Sequence, residues 1–375
     1  MTETFNPFLT SGYHGAKYFC DRKKEAATLL SNIKNGNNTT LFALRRLGKT
    51  GLIQHSFSQL AASKKIACIY VDIFATQNLK NFTSQLATAI YNRFPQNKGI
   101  GAKLLGLLKL LRPVISYDSL TGNPEVSLEL GQPKQFENTI QQLFTFLDTQ
   151  GIKVVIAIDE FQQVLTYPEK NVEAVLRTHI QPLKNVRFIF CGSNQRMMNE
   201  IFNNAKRPFY GSCSNIQLGF IKEDEYTDFI ATHFKEKRRK ISAESIQFIL
   251  DFTQRHTYYT QVICNQLFAK QIKNVQLQDV LTVCREVLLQ NESVFYQYRN
   301  LLTQAQWELL TAIAKETTVS KPHSKEFIKK HRLGTSSLIT RGIESLLAKE
   351  MIYYSTAAEG SHYAVYDKFL MRWLQ

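Results

Sequence analysis

Short apolar runs alternate with helical patterns through the first 220 residues of the chain. The apolar runs are typical of buried strands and lie at residues 39–44, 66–74, 154–158, 187–191 and 215–218. Segments with helical periodicity lie between them, at residues 50–62, 80–94 and 135–148. A hairpin is predicted at residues 114–130, with its turn at 121–124. Buried strands that alternate with helices favour an α/β fold, in which a mostly parallel sheet carries helices on both faces.

The pattern changes twice after this region. Residues 222–290 carry helical patterns and no clear strand. Beyond them, three helical segments precede two strand-like runs; the helices fall at 304–314, 324–331 and 335–349, and the strands at 352–355 and 363–366. Three helices followed by a hairpin are typical of a winged helix. The predicted domains are therefore residues 1–221, 222–290 and 291–375.

Composition fits a multidomain globular protein, since the chain has 375 residues and is 44% hydrophobic. Its formal charge is +15, from 46 basic and 31 acidic side chains. The excess is spread along the chain, so a nucleic acid, a nucleotide or an acidic protein all remain compatible partners. Six scattered cysteines without a CxxC pair are expected to be reduced, which predicts a cytoplasmic protein. No signal-peptide pattern and no apolar stretch of about 18 residues is present, so no membrane association is predicted.

A basic, glycine-containing turn follows the first predicted strand and leads into a helix. It nearly matches the phosphate loop of nucleotide-binding proteins, in which Gly and four further residues precede Gly-Lys-Ser/Thr. Backbone N–H groups of such a loop surround phosphate oxygens, the lysine lies against the β- and γ-phosphates, and the next hydroxyl binds Mg²⁺. Ala43 replaces the first glycine, which predicts a reshaped start of the loop because alanine disfavours positive φ. The predicted binding residues are Ala43, Leu44, Arg45, Arg46, Leu47, Gly48, Lys49, Thr50 and Gly51.

Two carboxylates follow the buried strand at 154–158. Asp159 is predicted to bind Mg²⁺ together with Thr50, and Glu160 to polarise the attacking water. The next strand ends at Ser193 and Asn194, whose side chains are interpreted either as contacts to the γ-phosphate or the water, or as a helix cap. No residue resembles the guanine-reading Asn-Lys-x-Asp motif, which favours ATP as the nucleotide.

Six short motifs carry a resemblance that covers nearly the whole chain. They are residues 18–22 with Glu25, 45–50, 158–161, 191–193, 207–211, and 366–370 with Trp373. With them the chain resembles the ATPase family found mainly in archaea and in some bacteria, in the AAA+/STAND branch of P-loop NTPases. The resemblance implies that residues 1–221 form the P-loop domain, 222–290 a helical lid and 291–375 a winged helix. It also implies roles in the nucleotide site: Phe19, Asp21 and Arg22 near the adenine, Ser193 as a sensor and Arg207 near the γ-phosphate.

The third helix of a winged helix can enter the DNA major groove with its N-terminal residues leading. Here the exposed face of that helix would carry Ser336, Ser337, Thr340 and Arg341, and Lys329 and Lys330 would meet phosphates. Winged helices in this branch of NTPases also mediate protein contacts, so an unidentified protein partner is an equal alternative.

Three hypotheses follow from the sequence. The first is an ATPase whose nucleotide state controls the winged helix. The second is a nucleotide-gated adaptor or switch with little turnover. The third is a DNA-binding regulator with a vestigial phosphate loop. The oligomeric state stays open.

Overall fold

The computed structural model describes residues 6–61, 65–94, 106–109, 112–118, 121–128, 132–357 and 360–375. These residues form two compact units. Gly12–Gly219 is the α/β unit, and Phe220–Gln375 with the described residues before Gly12 is the C-terminal unit. The predicted boundaries at 221/222 and 290/291 stay predictions.

The α/β unit is built on a five-stranded parallel sheet in the order β2-β5-β6-β1-β7. Strands of this unit are β1 (Thr39–Phe42), β2 (Ile66–Asp72), β3 (Pro113–Tyr117), β4 (Pro124–Leu128), β5 (Lys153–Asp159), β6 (Val186–Gly192) and β7 (Ser214–Gln217). Because β6 lies between β1 and β5, the carboxyl ends of these three strands stand side by side. The predicted α/β fold is confirmed, and all five predicted strands belong to this sheet.

One helix precedes β1, and the others lie between later strands, as the sequence pattern predicts. They are α1 (Lys23–Lys34), α2 (Lys49–Ala61), α3 (Leu79–Arg93), α4 (Pro133–Asp148), α5 (Val172–Ile180) and α6 (Gln195–Asn203). The antiparallel pair β3–β4 forms the predicted hairpin, although residues 119, 120, 129 and 130 of that segment lie outside the described part of the chain.

The core of the α/β unit lies between the sheet and its helices and is rich in phenylalanine. Phe161, Phe190, Phe202 and Phe209 are buried and in mutual ring contact, with centroids 4.6–5.7 Å apart. Aromatic packing of this kind contributes beyond the buried area alone. It anchors the segment that follows β5, where the predicted catalytic carboxylates lie.

The C-terminal unit begins with four helices and a short two-stranded pair. The helices are α7 (Glu223–Glu236), α8 (Ala243–Thr253), α9 (Thr257–Ala269) and α10 (Leu277–Asn300), and the pair joins β8 (Lys240–Ile241) to β9 (Asn274–Val275). Phe8 from the N-terminal segment is fully buried in this unit and contacts the rings of Phe229, Phe234 and Phe268.

The last part of the chain has the predicted arrangement of three helices and a hairpin. Its elements are α11 (Gln304–Glu316), α12 (Lys325–Lys330), α13 (Ser336–Ala348), β10 (Ile352–Ala357), β11 (Gly360–Val365) and a further helix, α14 (Lys368–Leu374). Helices α11 and α13 approach closely at Gly342, where a Cβ would lie 2.7 Å from Leu309 Cδ2. Among the described helices, none combines the length and apolar character that crossing a lipid bilayer requires.

Candidate functional site

Two residues of the loop between β1 and α2 have a positive φ. Gly48 has φ 96°, in the left-handed region that favours glycine, and Arg46 also has a positive φ of 60°. The first turn of α2 begins with the Leu52 N–H donating to the Gly48 carbonyl at 2.9 Å. Ala43 is buried and is not among the residues with positive φ, and the predicted reshaping of the start of the loop stays a prediction.

Arg22 fixes this loop from the side. Its guanidinium is buried, with Nη2 donating to the Leu47 carbonyl at 3.2 Å and Nη1 bonded to Glu25 Oε1 at 3.2 Å. Asp21 and Arg22 both have positive φ, which turns the chain sharply into α1. Arg22 therefore contacts the phosphate loop itself.

Phe19 lies against the first turns of α2. A Cβ at Gly51 would stand 3.2 Å from the Phe19 ring, so glycine permits this close approach. The ring stacks on His55 at 4.6 Å between centroids, and the Tyr13 hydroxyl is 2.9 Å from His55 Nδ1. Partial burial lowers the pKa of His55, so the neutral ring predominates near pH 7. The result is an aromatic cluster beside the phosphate loop.

The predicted metal ligands are in direct contact. Thr50 Oγ1 donates to Asp159 Oδ2 at 3.0 Å, and the same oxygen accepts from the Tyr70 hydroxyl at 2.7 Å. Burial and the neighbouring Asp159 raise the pKa of Tyr70, so the phenol stays protonated and acts as a donor. These hard oxygen ligands fit Mg²⁺, because adjacent ligands of an octahedral Mg²⁺ lie about 3 Å apart.

Lys49 precedes Thr50 at the start of α2 and is buried. A third carboxylate, Asp72, stands at the end of β2 in register with Asp159. Partial burial, together with the charges of Asp159 and Glu160, raises the pKa of Asp72. Among the described residues there is no group of three or more His, Cys, Asp or Glu that could hold a metal ion.

Glu160 is held by a set of hydrogen bonds that all reach one oxygen. Its Oε2 accepts from Gln162 Nε2 at 2.5 Å, from Ser193 Oγ at 2.7 Å and from the Ser193 N–H at 3.4 Å. The Glu160 backbone has φ 56° and ψ 41°, a left-handed conformation that is uncommon outside glycine. Such a conformation in a non-glycine residue is frequent at functional sites.

The end of β6 contributes two polar residues with different contacts. Ser193 Oγ donates to Glu160 and accepts from Arg45 Nε at 3.4 Å, so it joins the phosphate loop to the carboxylate. Asn194 caps α6 through its side-chain oxygen, which accepts from the Met197 N–H at 3.1 Å. Of the two interpretations, Asn194 forms the cap, and a contact of Ser193 to the γ-phosphate or the water stays a prediction.

Arg207 lies in the segment that follows α6 and precedes β7. Its guanidinium forms ion pairs with Glu173 at 3.3 Å and Glu200 at 3.5 Å. The predicted place of Arg207 near the γ-phosphate stays a prediction.

Tyr70, Asp72 and Gln162 are members of the site that sequence reasoning missed. Tyr70 and Asp72 belong to an apolar strand run, in which a single hydroxyl or terminal acid carries no motif. Gln162 stands two residues after Glu160, a spacing that belongs to no pattern used above. The sequence does contain one signal for this part of the site. Gly192 ends a buried strand, and glycine at such a position often marks a close approach of another group.

The predicted DNA-contacting residues belong to the C-terminal unit. Ser336, Ser337, Thr340 and Arg341 form one exposed face of α13. Lys329 and Lys330 are exposed at the end of α12, where Lys330 also pairs with Glu316 at 2.6 Å. The Lys330 and His331 hydrogen bonds lower the pKa of Glu316, which keeps that carboxylate charged.

Comparison with known families decides what kind of protein this is. Residues 19–258, more than half of the chain, match a family model described as an ATPase domain predominantly from Archaea. The chain belongs to this ATPase family. Residues 293–375 of the ATPase match the model of a probable winged helix domain. A search of curated proteins gives no match.

Solved structures support the fold over nearly the full length of the ATPase. The Walker-type ATPase PABY2304 of Pyrococcus abyssi is 15% identical, with a TM-score of 0.68 and coverage of 98% of this chain and 99% of that one. The ORC2 protein of Aeropyrum pernix, in ADPNP–ADP complexes, is 11% identical, with a TM-score of 0.60 and coverage of 99% and 98%. At these identities the likeness shows a shared fold.

Proposed function

We propose that this protein binds ATP together with Mg²⁺ and hydrolyses it to ADP and phosphate. The observation that carries the proposal is the convergence of Lys49, Thr50, Asp159 and Glu160 at the carboxyl edge of one sheet, beside a loop with phosphate-binding geometry. Membership of an ATPase family supports it. The adenine nucleotides in the ORC2 neighbour favour ATP over GTP.

Each residue of the site has a proposed task. Backbone N–H groups of residues 43–51 bind phosphate oxygens, and the Lys49 ammonium binds the β- and γ-phosphates. Thr50 and Asp159 hold Mg²⁺, which neutralises phosphate charge when it is bound. Tyr70 keeps the Asp159 carboxylate oriented through its hydrogen bond. The adenine ring is assigned to the aromatic cluster that contains Phe19, with Asp21 as a further contact, while Arg22 holds the loop in place.

Glu160 is the proposed general base. A water oxygen forms a bond to the γ-phosphorus as the bond from that phosphorus to the bridging oxygen of ADP breaks. The water proton passes to the Glu160 carboxylate. Ser193 reports on the phosphate loop through Arg45, which is the sensor role proposed for it. Asn194 serves this arrangement as the cap of α6, and a contact of Arg207 to a γ-phosphate stays a prediction.

Steady-state ATP hydrolysis with Mg²⁺ tests the proposal in three variants. Glu160→Gln should lower kcat by about 100-fold or more while leaving ATP affinity near wild type, because only proton transfer is lost. Lys49→Ala should weaken ATP binding by about 10-fold or more, since a hydrogen bond to a charged group contributes roughly 1.5–3 kcal/mol. Glu244→Gln, on an exposed first turn of α8, is the matched control. Wild-type turnover that survives Glu160→Gln would contradict the assignment of the base.

We further propose that the winged helix binds duplex DNA through α13. The supporting observation is the exposed face of Ser336, Ser337, Thr340 and Arg341, which presents hydroxyl donors and one guanidinium. The ORC1 protein of Aeropyrum pernix, a neighbour at 13% identity and a TM-score of 0.50, was solved in complex with DNA. Lys329 and Lys330 would contact phosphates beside this face.

Fluorescence anisotropy with labelled duplex DNA at a fixed salt concentration tests this second proposal. Arg341→Gln should weaken binding to a preferred sequence by about 1–3 kcal/mol if the arginine reads a base. Lys329→Gln should weaken binding uniformly across sequences and reduce the salt slope by about 1. Arg285→Gln, exposed on α10, is the control. Equal affinities in all four proteins would favour a protein partner for the winged helix.

An adaptor with little turnover is the alternative within the same fold. It predicts co-purified nucleotide, negligible hydrolysis, and no kinetic effect of Glu160→Gln.

The six cysteines are free thiols, which supports the proposed cytoplasmic location.

A further inference from the structure

Gln162 contacts the proposed general base, Glu160. It belongs to the short 3₁₀ helix Phe161–Thr166 that follows Glu160, and its side chain is only 7% exposed. The Nε2 amide donates to Glu160 Oε2 at 2.5 Å. Its Oε1 is buried without a hydrogen-bond partner among the described residues. Burying an amide with half of its polar atoms unsatisfied costs free energy, so this placement needs a compensating reason.

The end of β6 is shaped to admit this amide. A Cβ at Gly192 would overlap both Gln162 Oε1 and the Met198 side chain. Gly192 does not have a positive φ, so its backbone conformation is open to other residues and the space for Gln162 is what requires glycine. Gln162, in the segment after β5, and Gly192, at the end of β6, are therefore matched to each other.

The two carboxylate oxygens of Glu160 differ in the hydrogen bonds that they accept. Oε2 receives all three donors, from Gln162 and from the hydroxyl and N–H of Ser193. No described residue donates a hydrogen bond to Oε1. Donors on one oxygen fix the orientation of a carboxylate and leave the other oxygen to accept a proton. The left-handed backbone at Glu160 adds a second constraint on the same side chain.

We propose that Gln162 is a positioning residue for ATP hydrolysis. It holds Glu160 Oε2, together with Ser193, so that Oε1 faces the attacking water and receives its proton. A neutral amide suits this role because it donates without adding a second negative charge beside Glu160. The inference rests on the proposed ATPase function and concerns the geometry of its base.

Gln162→Met removes the donor while nearly preserving the volume of the side chain. The variant should lower kcat by about 10-fold or more, because a misoriented base loses much of its contribution, while KM and ATP affinity change by about twofold at most. Gln163→Met is the matched control on the same 3₁₀ helix. Gln163 Nε2 donates to the Thr76 carbonyl at 3.0 Å. Its backbone N–H donates to the Glu160 carbonyl at 2.9 Å, a bond that the substitution leaves in place, so the kcat of this variant should stay near wild type.

Gln162→Glu supplies a readout that loss of packing would not give. Two carboxyl groups at this distance share one proton, and the protonated Glu side chain can donate to Glu160 Oε2 as the amide does. At higher pH the pair loses that proton and the two charges repel. The kcat of this variant should therefore approach the wild-type value as pH falls from about 8 to 6, whereas Gln162→Met should show no such recovery.

The outcomes separate this inference from the proposed function. A wild type without turnover would overturn both. Wild-type turnover that depends on Glu160, with Gln162→Met at wild-type kcat and bound ATP, would overturn only the positioning role. Equal losses in Gln162→Met and Gln163→Met, or a Gln162→Glu variant with no pH-dependent recovery, would also overturn it. Circular dichroism and ATP-affinity measurements on each variant establish that it is folded.

Discussion

Arg22 and Gly48 support the same phosphate loop by different physical means. Gly48 adopts a φ of 96° that an L-residue rarely takes, so its contribution is conformational. Arg22 is a buried charge that satisfies the Leu47 carbonyl and is itself paired with Glu25. The role of Gly48 can be inferred from the sequence, because glycine at that position of the motif is known to permit this conformation. The contact of Arg22 is a tertiary interaction, and a motif alone places it only near the nucleotide.

Lys368 presents a second buried charge, in the C-terminal unit. Its ammonium is fully buried and donates to the Val365 carbonyl at 3.0 Å and the Tyr353 hydroxyl at 3.3 Å. Burial lowers its pKa to about 7, with Asp367 acting in the opposite direction. The unfolded chain, with the ordinary pKa near 10.5, binds more protons between these values, so stability from this group rises with pH.

Replacing Lys368 by methionine should therefore alter the pH dependence of stability. Below about pH 7 the wild type carries the full cost of a buried ammonium, so Lys368→Met gains most, on the order of a few kcal/mol less the lost hydrogen bonds. The difference between variant and wild type should shrink as pH rises to 9. Urea unfolding of the full chain at pH 6 and pH 9 measures it, with exposed Lys349→Met as the control. If the stability difference between Lys368→Met and the wild type is the same at both pH values, the buried-charge argument is contradicted.

At the scale of elements, the sequence pattern predicts most of what positions the site. Buried runs such as residues 154–158 mark the strands, and the loop before Lys49 marks the start of α2. The order of strands does not follow from these runs. It takes the structure to show that β6 lies between β1 and β5, which brings Ser193 to Glu160. Alternation reports which residues are buried, while strand order depends on packing between distant segments.

Two features of the structure do not follow from the sequence pattern. Arg207 lies between α6 and β7, so its distance from Lys49 depends on how that segment packs. Helix α14 follows from Asp367, whose carboxylate caps it by accepting from the Phe369 and Leu370 N–H groups. Seven residues are too few for helical periodicity to be recognised.

At the scale of the whole molecule, the α/β unit carries the proposed nucleotide site and the C-terminal unit carries the proposed DNA-binding face. Control of one by the other requires a coupling free energy between two sites. Such coupling is reciprocal: if ATP changes the affinity for DNA by some factor, DNA changes the affinity for ATP by the same factor. Reciprocity gives nucleotide gating a quantitative test that does not depend on how the units move.

DNA affinity should therefore differ between nucleotide states. We expect the Kd for duplex DNA of Glu160→Gln with ATP to differ by about fivefold or more from that with ADP, a typical size for allosteric coupling. The Glu160→Gln variant is used because it keeps ATP intact during the measurement. Titration of labelled ATP with and without saturating DNA should return the same factor, whereas Lys49→Ala should show a single DNA affinity in all conditions.

If DNA binds equally well with ATP, with ADP and without nucleotide, the winged helix acts independently of the ATPase. The hypothesis of a DNA-binding regulator with a vestigial phosphate loop would then account for the chain better than a nucleotide switch, provided that hydrolysis is also absent.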